Sequence, residues 1–590
     1  MKKTRLLAFV VLPFMFACSQ APEFNTYTEA DDPVAVTERS LLAWNQVGRL
    51  NGTWASADSL YSRSEVPVSG CVEQPLLQAW KGERVSAQFL LYTGTGADGV
   101  VCKVSDFTSA DAKMSSDIAS ARFVRYTLAD QPSPTCRCDR SPYSPAMLAP
   151  DLIDSLKVFN MDPKTTRPVW VTVNVPQNAK PGVYRSEIIV SAKGGAKVKM
   201  PFELEVIDQV LPGYQDWKFH LDLWQHPSAV ARMLNLDMWS DEHFEALKEQ
   251  MRPLAEAGQK VITATLNRDP WGYQTFDDYE EMIFWVRHKD GSWSYDYTVF
   301  DKWVELMMSL GVKKQINCYS MIPWSYRLQY LDEESGIRKH AWDAIPGTEE
   351  FEYMWIPFLK DFVKHLKEKG WLEITNIAAD ERSPEEMDAV VALIQKYAPE
   401  LGFAMADNHA SYRRYPNIKD CSVAQRQLYM TEEELQQRKD SGFVTTFYVC
   451  CSTFFPNTFS YSQPFEAEML NWHAIFKDYD GQLRWSVNSW PANPEYDSRF
   501  RLWGSGDTYS LYSHGRPTMR FERMRDGVEA YEKVRILREK YADQPEALKP
   551  LEDAIDKFGS YKLTDPTLPW SDILSEVNTA LNEVSKELAK

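Results

Sequence analysis

Residues 374–386 read Ile374-Thr-Asn-Ile-Ala-Ala-Asp380-Glu381-Arg-Ser-Pro-Glu-Glu386. The apolar run before Asp380 is short enough to be a buried strand. Ser383 and Glu386 have the spacing of a capping box, so a helix is expected directly after the two carboxylates. A strand, a tight turn and a helix in this order predict a parallel α/β unit. Asp380 and Glu381 then stand at the strand end where the active sites of such folds collect.

Strand-like and helix-like patterns alternate over residues 213–515, which favours a parallel sheet. We therefore predict a central (β/α)8 TIM-type barrel with one inserted hairpin at residues 281–297. Because the third and sixth candidate strands are thin, a smaller open sheet is the alternative. The eight predicted strands are residues 219–224, 260–266, 314–319, 374–379, 402–409, 421–424, 443–450 and 482–488.

The regions on either side of the predicted barrel have different textures. Residues 41–212 are rich in strand patterns without a long helical pattern, which predicts an N-terminal β-sandwich. Within it, residues 184–190 and 198–206 predict a hairpin. Residues 516–590 carry apolar side chains at helical spacing, which predicts a C-terminal helical region.

The N-terminus has the pattern of an export signal. Three basic residues precede an apolar run that is too short to span a bilayer, so residues 1–17 are predicted to be a signal peptide. The run ends Met15-Phe-Ala-Cys18, which resembles a bacterial lipobox and implies lipidation of Cys18. An ordinary signal peptide is the alternative. Residues 18–40 are polar and are interpreted as a tether. We expect an exported protein, lipid-anchored to the outer membrane on its periplasmic or cell-surface side.

Composition limits the classes of partner. A net charge of −18 argues against nucleic acid and against an anionic membrane surface. The chain has 20 Trp, 28 Tyr and 28 Phe, which fits large cores and also fits platforms for sugar stacking. The histidines are scattered, and Cys136-Arg-Cys138 has no second cysteine pair at zinc-site spacing. We therefore expect no metal and no cofactor, and leave the disulfide pairing open.

Polar and aromatic residues lie near several predicted strand ends. Because the carboxyl ends of parallel strands meet at one end of a barrel, we expect a site there. One acidic pair among aromatics and amides, without a phosphate-binding glycine loop, suits an uncharged polyhydroxylated ligand. Besides Asp380 and Glu381, the candidate substrate-binding residues are His220, Asp222, Tyr319, Asn408, Tyr448, Trp485, Asn488, Trp490, Trp503 and Asp507.

The acidic pair favours one mechanism of glycoside hydrolysis. Most glycosidases use two opposed carboxylates, but residues 445–451 of the predicted seventh strand carry none. An adjacent Asp-Glu pair suits substrate assistance, in which a 2-acetamido carbonyl attacks the anomeric carbon. Asp380 would hold the acetamido N–H and Glu381 would protonate the leaving oxygen. Tyr448 is a candidate donor to the acetamido oxygen.

Three segments near the end of the predicted barrel resemble the C-terminal signature of glycoside hydrolase family 123. They read Arg501-Leu-Trp-Gly-Ser-Gly-Asp-Thr-Tyr509, Gly515-Arg-Pro517 and Arg520-Phe-Glu-Arg-Met-Arg-Asp-Gly-Val-Glu-Ala-Tyr531. The resemblance covers about residues 40–540 and implies a β-sandwich, a barrel and the Asp380-Glu381 dyad. It also implies an exo-acting, retaining β-N-acetylgalactosaminidase that forms an oxazoline. Its substrates would be glycans or glycolipids with terminal β-linked N-acetylgalactosamine.

Alternatives remain at this point. A β-N-acetylglucosaminidase of the same mechanism and a non-catalytic surface lipoprotein that binds glycans both fit the residues. Asp507 is equally consistent with a turn residue and with a sugar contact. We interpret Arg523, Arg525, Asp526 and Glu529 as residues that brace a helix against the barrel rather than contact substrate.

Overall fold

The computed structural model describes residues 27–67, 71–72, 74–131, 145–425, 430–501 and 503–590. It contains a sheet-rich N-terminal domain, a barrel of eight parallel strands and a C-terminal group of helices. This is the predicted order of domains. The predicted signal peptide, the predicted lipidation at Cys18 and the Cys136-Arg-Cys138 sequence lie outside the described residues.

The N-terminal domain is built from two sheets. One has six strands in the order β2-β1-β4-β11-β8-β9, and the other has the order β10-β5-β12-β13-β3 with two short strands attached. Aliphatic and aromatic side chains from both sheets form one core, the arrangement of the predicted β-sandwich. The strands are β1 (Asn51–Ala55), β2 (Cys71–Val72), β3 (Leu76–Lys81), β4 (Arg84–Thr93), β5 (Ala97–Val104), β6 (Phe107–Thr108), β7 (Lys113–Met114), β8 (Ala119–Asp130), β9 (Ala146–Ile153), β10 (Phe159–Met161), β11 (Thr165–Asn174), β12 (Gly182–Ser191) and β13 (Lys197–Val210). Strands β12 and β13 form the predicted hairpin.

The first described residues pack on this domain, which corrects the predicted tether. The Glu29 carboxylate is buried and lies 2.6 Å from an Arg167 guanidinium nitrogen. Tyr27 stacks on Phe159 with ring centroids 5.4 Å apart. At residues 27–30 the chain is therefore packed on the domain and is not a free tether, whereas residues 33–39 are exposed. Polar residues at positions 27–30 are compatible with burial because the charge of Glu29 is paired.

Eight parallel strands form the barrel in the order β14-β25-β24-β23-β22-β21-β18-β15. The first and last strands of this order meet through a single bridge between Leu221 and Gln259, so the barrel is nearly closed. All eight predicted strands are present, and the alternative of a smaller open sheet is excluded. The strands are β14 (His220–Leu223), β15 (Val261–Thr265), β18 (Gln315–Tyr319), β21 (Thr375–Asp380), β22 (Gly402–Asp407), β23 (Asp420–Ala424), β24 (Val444–Tyr448) and β25 (Gly481–Arg484).

An inserted sheet of four strands interrupts the barrel sequence after its second and third strands. Its order is β17-β16-β19-β20, with β16 (Phe284–Arg287), β17 (Trp293–Asp296), β19 (Gln329–Asp332) and β20 (Ile337–His340). The hairpin of β16 and β17 lies in the predicted insertion. The second hairpin was not predicted, because its second strand is exposed and polar and lacks an alternating pattern.

The helices surround the barrel and extend beyond it. The predicted capping box of Ser383 and Glu386 is present before α6, and Thr431 and Glu434 form a second capping box before α8. Within the described residues, no helix combines the length and the apolar character that crossing a bilayer requires. The helices are α1 (Glu38–Trp44), α2 (Pro227–Leu234), α3 (Asp241–Glu256), α4 (Thr298–Ser309), α5 (Glu349–Lys369), α6 (Pro384–Tyr397), α7 (Ser411–Arg414), α8 (Glu432–Asp440), α9 (Phe465–Lys477), α10 (Met519–Lys540), α11 (Pro545–Ser560) and α12 (Trp570–Glu587).

Helix α10 connects the N-terminal domain to the barrel through buried charges. Arg523 forms an ion pair of 2.7 Å with Asp58 of the N-terminal domain and a second ion pair with Glu468 of α9. Arg523 also pairs with Asp526 one turn along its own helix. Glu529 accepts a hydrogen bond of 2.9 Å from the backbone N–H of Arg84. These contacts agree with the bracing role inferred from the sequence.

Candidate active site

A cavity of about 610 Å³ lies at the carboxyl ends of the barrel strands. It contains both members of the predicted acidic pair. Four further residues of the predicted site also line it, from the ends of the seventh and eighth strands and the segment that follows them. The predicted residues in the cavity wall are Asp380, Glu381, Tyr448, Trp485, Trp503 and Asp507.

The turn after β21 aims both carboxylates into this cavity. Asp380 is the last residue of the strand, and Glu381 has a φ of 48°, in the left-handed region that residues other than glycine rarely adopt. The backbone N–H of Glu381 donates to the carbonyl of Ala406 over 2.9 Å. In a continuing strand, neighbouring side chains point to opposite faces. The left-handed turn removes that alternation, and both carboxylates line the cavity.

Each carboxylate of the pair has its own donor. The indole N–H of Trp324 donates to Asp380 Oδ2 over 3.0 Å. The hydroxyl of Tyr448 donates to Glu381 Oε1. These separate partners hold two adjacent acidic side chains in different positions. In the free site the Tyr448 hydroxyl contacts Glu381, and its contact with an acetamido oxygen stays a prediction.

The cavity disfavours two negative charges side by side. Burial raises the pKa of Asp380 to about 7, the Glu381 carboxylate adds to the shift, and the hydrogen bond from Trp324 opposes it. Burial also raises the pKa of Glu381, against the hydrogen bond from Tyr448. Because the two groups interact, they titrate as a pair. The pair therefore loses its two protons in separate steps, and its singly ionised form has the one proton and one charge that an acid and an anionic stabiliser require.

Asp507 is both a structural residue and part of the cavity wall. Its carboxylate is buried and lies 2.7 Å from a guanidinium nitrogen of Arg484. Arg484 in turn donates to the side-chain oxygen of Asn457 over 2.9 Å. The second oxygen, Asp507 Oδ2, has no hydrogen-bond partner within the described part of the chain. The ion pair gives Asp507 a structural role, and its contact with a sugar stays a prediction.

Aromatic rings form the wall and the floor of the cavity. Trp485 and Trp503 meet edge to face, with ring centroids 5.7 Å apart. The indole of Trp503 donates to the carbonyl of Gln274 over 2.8 Å, which fixes that ring. Trp224 is buried at the floor, 4.7 Å from the ring centroid of Tyr319. Tyr319 packs against Trp224 and is not itself in the cavity wall.

The other predicted binding residues also lie outside the cavity wall. Asn488 exchanges two hydrogen bonds of 2.9 Å with the backbone of His226, and the Trp490 indole donates to the carbonyl of Leu511. The polar atoms of both are used inside the protein. The strand-end position alone did not identify which side chains reach the cavity. The predicted residues outside the wall are His220, Asp222, Tyr319, Asn408, Asn488 and Trp490.

Several residues of the cavity wall were not predicted. Tyr273 and Gln274 lie in the loop after the second barrel strand, and Trp324 lies in the loop after the third. Arg501 belongs to the quoted family signature but was not assigned a role. Loop residues carry no periodic pattern, so only a search for tryptophans beyond strand ends would have found Trp324.

In the described part of the chain, no group of three or more His, Cys, Asp and Glu side chains is arranged to hold a metal ion. Cys450, in the cavity wall, is a free thiol, and its neighbour Cys451 is disulfide-bonded.

A nearly closed (β/α)8 barrel with an acidic pair and aromatic rings at its carboxyl end is the arrangement of a barrel glycoside hydrolase. The family description "Glycoside hydrolase 123, catalytic domain" matches residues 224–537, and "Glycoside hydrolase 123 N-terminal domain" matches residues 54–192. The chain belongs to glycoside hydrolase family 123.

Solved structures agree with this assignment at the level of fold. A family 123 glycoside hydrolase from Clostridium perfringens, studied for glycolipid glycan hydrolysis, is 24% identical with a TM-score of 0.83. The match covers 92% of this chain and 99% of that chain, so the fold is shared over nearly the whole length. A Bacteroides ovatus GH5 xyloglucanase is 9% identical over 77% of this chain and 98% of its own, and its TM-score of 0.28 carries no weight. No curated protein matches the chain.

Proposed function

We propose that this glycosidase releases terminal β-linked N-acetylgalactosamine from glycans or glycolipids, with retention, by substrate-assisted catalysis. The observation that carries the proposal is the placement of Asp380 and Glu381 next to each other in one cavity, each with its own hydrogen-bond donor. Two carboxylates on one turn approach a sugar from the same side. They suit an acid and a stabiliser of positive charge rather than an opposed acid and nucleophile.

The remaining groups of the cavity leave the nucleophile to the substrate. A two-carboxylate mechanism places its carboxyls on opposite sides of the scissile bond, about 5–5.5 Å apart for retention. The end of the seventh strand supplies Tyr448, Cys450 and Cys451 to the cavity, and none of these is a carboxylate. Asp507 is the third carboxylate of the wall, but its charge is paired with Arg484. An acetamido oxygen of the sugar is therefore the nucleophile in this proposal.

The reaction has two steps. In the first, the acetamido carbonyl oxygen bonds to C1 while the bond from C1 to the glycosidic oxygen breaks, and Glu381 gives its proton to that oxygen. The resulting oxazolinium ring is positive, and the Asp380 carboxylate stabilises it by accepting its N–H. In the second, water attacks C1 from the vacated face and Glu381 takes its proton. The ring reopens, and two inversions at C1 give net retention.

When the substrate binds, the proton of the acidic pair is held by Glu381, which has to protonate the leaving oxygen. In the free site, burial raises the pKa of Asp380 to about 7 and also raises the pKa of Glu381. An acetamido N–H donates a second hydrogen bond to Asp380, beside that from Trp324, and favours its ionised form. Glu381 then holds the proton, and the Tyr448 hydroxyl keeps the carboxyl in position.

The choice of sugar rests on the family and on the wall of the cavity. Family 123 resemblance implies galactosamine, and the Clostridium perfringens relative was studied for glycolipid glycan hydrolysis. Trp485 and Trp503 offer rings for the apolar face of the sugar. A β-N-acetylglucosaminidase and a non-catalytic glycan-binding protein are the alternatives that an experiment has to separate.

A panel of nitrophenyl glycosides tests the proposal. We expect hydrolysis of the β-N-acetylgalactosaminide, slower hydrolysis of the β-N-acetylglucosaminide, and none of the β-galactoside, which has no acetamido nucleophile. NMR should detect the β-anomer of the sugar first. Glu381→Gln should keep more activity on nitrophenyl glycosides than on an alkyl glycoside, because a good leaving group needs least acid assistance.

Three results would contradict parts of this proposal. A first-formed α-anomer excludes substrate assistance. Faster cleavage of the β-N-acetylglucosaminide reassigns the sugar. Binding of the galactosaminide without release of sugar by the wild-type protein supports the non-catalytic alternative.

We also propose that the protein is exported and lipid-anchored through Cys18 to a bacterial outer membrane, on its periplasmic or cell-surface side. The support is the basic and apolar pattern of residues 1–17 followed by the lipobox-like Met15-Phe-Ala-Cys18. Cys18→Ala should move the protein from the membrane fraction to the soluble fraction of cells. Unchanged membrane association of this variant would exclude Cys18 as the anchor.

A further inference from the structure

Exposed aromatic side chains gather in the loops that follow the second and third barrel strands. Tyr273 is 43% exposed and Trp342 is 56% exposed. Phe276 and Trp324 of the same loops are also exposed. A group of large exposed apolar side chains beside a cavity indicates a binding surface, whereas single exposed apolar residues are common on any protein.

Arg327 joins two of these rings into one unit. Its guanidinium carbon lies 4.3 Å from the centre of the Tyr273 ring and 5.9 Å from the centre of the Trp342 ring. Tyr273 also lines the active-site cavity, and its carbonyl accepts a hydrogen bond from Arg501. Tyr273, Arg327 and Trp342 are called the rim below. The rim therefore begins in the cavity wall and continues outward to Trp342.

We propose that the rim binds a sugar ring of the leaving group, so that the preferred substrate is an oligosaccharide rather than a single glycoside. The proposal rests on the function proposed above. With the terminal sugar in the cavity and its acetamido group at Asp380, the next part of the substrate lies at the cavity mouth. Tyr273 lies at this mouth, and Arg327 connects it to the exposed ring of Trp342.

The chemistry of the rim favours a sugar over a hydrocarbon chain. A sugar ring has an apolar C–H face that packs on an aromatic ring and hydroxyl oxygens that accept hydrogen bonds. The Arg327 guanidinium, placed against both rings, supplies N–H donors beside the apolar surface. A lipid chain at the same place would remove water from this cation without replacing its hydrogen bonds, which is unfavourable.

The test compares Trp342→Ala with the wild-type full-length protein on three substrates. They are a nitrophenyl β-N-acetylgalactosaminide, a lipid-free oligosaccharide ending in β-linked N-acetylgalactosamine, and the same oligosaccharide on a lipid. We expect the ratio of kcat/KM for the free oligosaccharide to kcat/KM for the nitrophenyl glycoside to fall about fivefold to tenfold, because the variant removes one exposed aromatic ring of the rim. The loss should appear in KM, and Trp342→Phe should recover most of it.

A matched control separates the rim from a general effect of surface mutation. Tyr353 is 45% exposed on α5 and also has an arginine, Arg287, over its ring. It does not line the cavity. Tyr353→Ala should leave the substrate ratio unchanged.

The possible results separate this proposal from the proposed function. An unchanged ratio in Trp342→Ala, with an active wild-type enzyme, overturns the rim proposal alone. A loss confined to the lipid-linked substrate overturns it in favour of a lipid site. A wild-type protein that hydrolyses none of the three substrates overturns the proposed function and the rim proposal with it.

Discussion

Asp380 meets two requirements that oppose each other. Catalysis needs its carboxylate to be charged beside a positive intermediate, whereas burial beside Glu381 makes the charged form costly in the free protein. The Trp324 indole offsets part of that cost. Glu381 adds backbone strain, because its φ of 48° is unfavourable for a residue with a side chain. The active site is therefore a place where stability is lost for function.

This conflict predicts a pH-dependent effect of Asp380→Asn. The folded-state pKa of Asp380, about 7, is above its unfolded value of about 4, so its favourable contribution is complete below about pH 4 and is lost progressively as pH rises through about 7. Asparagine is neutral at every pH and avoids this loss. We expect Asp380→Asn to be more stable than wild type by about 1–3 kcal/mol at pH 8 and by much less at pH 5. Urea denaturation at the two pH values measures the difference.

Asp388 supplies the control for this prediction. It is an exposed aspartate whose pKa is lowered, first by the Tyr415 hydroxyl and then by Arg414. Its charged form is favoured in the folded protein, so Asp388→Asn should not gain stability at pH 8. An equal gain for Asp380→Asn at pH 5 and pH 8 would show that Asp380 is ionised in the folded protein throughout this range.

At the scale of residues, the sequence was sufficient to predict the acidic pair but not the side chains that contact it. Asp380 and Glu381 were predictable because a short apolar run and a capping box fix a strand-to-helix turn. Trp324 was not, because its contact with Asp380 depends on the path of an irregular loop. Asn488 and Trp490 were assigned to the site from strand-end position alone, although their side chains bond to the backbone elsewhere.

At the scale of elements, the barrel strands were predictable because parallel strands are covered on both faces. Strand β21 has five buried residues in a row, and β22 is buried throughout. Such strands are continuous apolar runs, and each is separated from the next by a helical segment or a polar loop. This is a local signal that survives in a single sequence.

The packing of the N-terminal segment was missed because it depends on distant contacts. Residues 27–30 read as polar, and the burial of the Glu29 carboxylate depends on distant partners such as Arg167, 138 positions later in the sequence. Long-range compensation of this kind has no signature in a local pattern.

At the scale of the whole molecule, helix α10 joins parts that are far apart in sequence. Its Glu522 pairs with Arg84 of the N-terminal domain over 2.7 Å, and its Lys533 pairs with Glu83 over 2.9 Å. Its Glu532 accepts hydrogen bonds from the backbone N–H groups that lead into the first barrel strand. The part of the family signature that lies on α10 therefore holds the barrel and the sheet domain in one arrangement. We interpret its charges as structural.

Arg523 is the residue whose loss should reveal this coupling. It pairs with Asp58, Glu468 and Asp526, and all four side chains are mostly buried. Removing one partner from buried ion pairs leaves uncompensated charge, which costs about 3–5 kcal/mol. We expect Arg523→Ala to lose about that much unfolding free energy in urea, with the N-terminal domain and the barrel destabilised together.

The matched control for Arg523 is Arg538 on the same helix. Arg538 pairs with Glu552 over 2.7 Å, but both side chains are more than a third exposed. Exposed ion pairs contribute about 0–1 kcal/mol, so Arg538→Ala should shift the unfolding midpoint only slightly. Tryptophan fluorescence and circular dichroism should report one coincident transition for wild type. If Arg523→Ala unfolds like Arg538→Ala, the buried charges of α10 do not carry the contact between the domains, and the apolar packing of α10 and α12 must carry it instead.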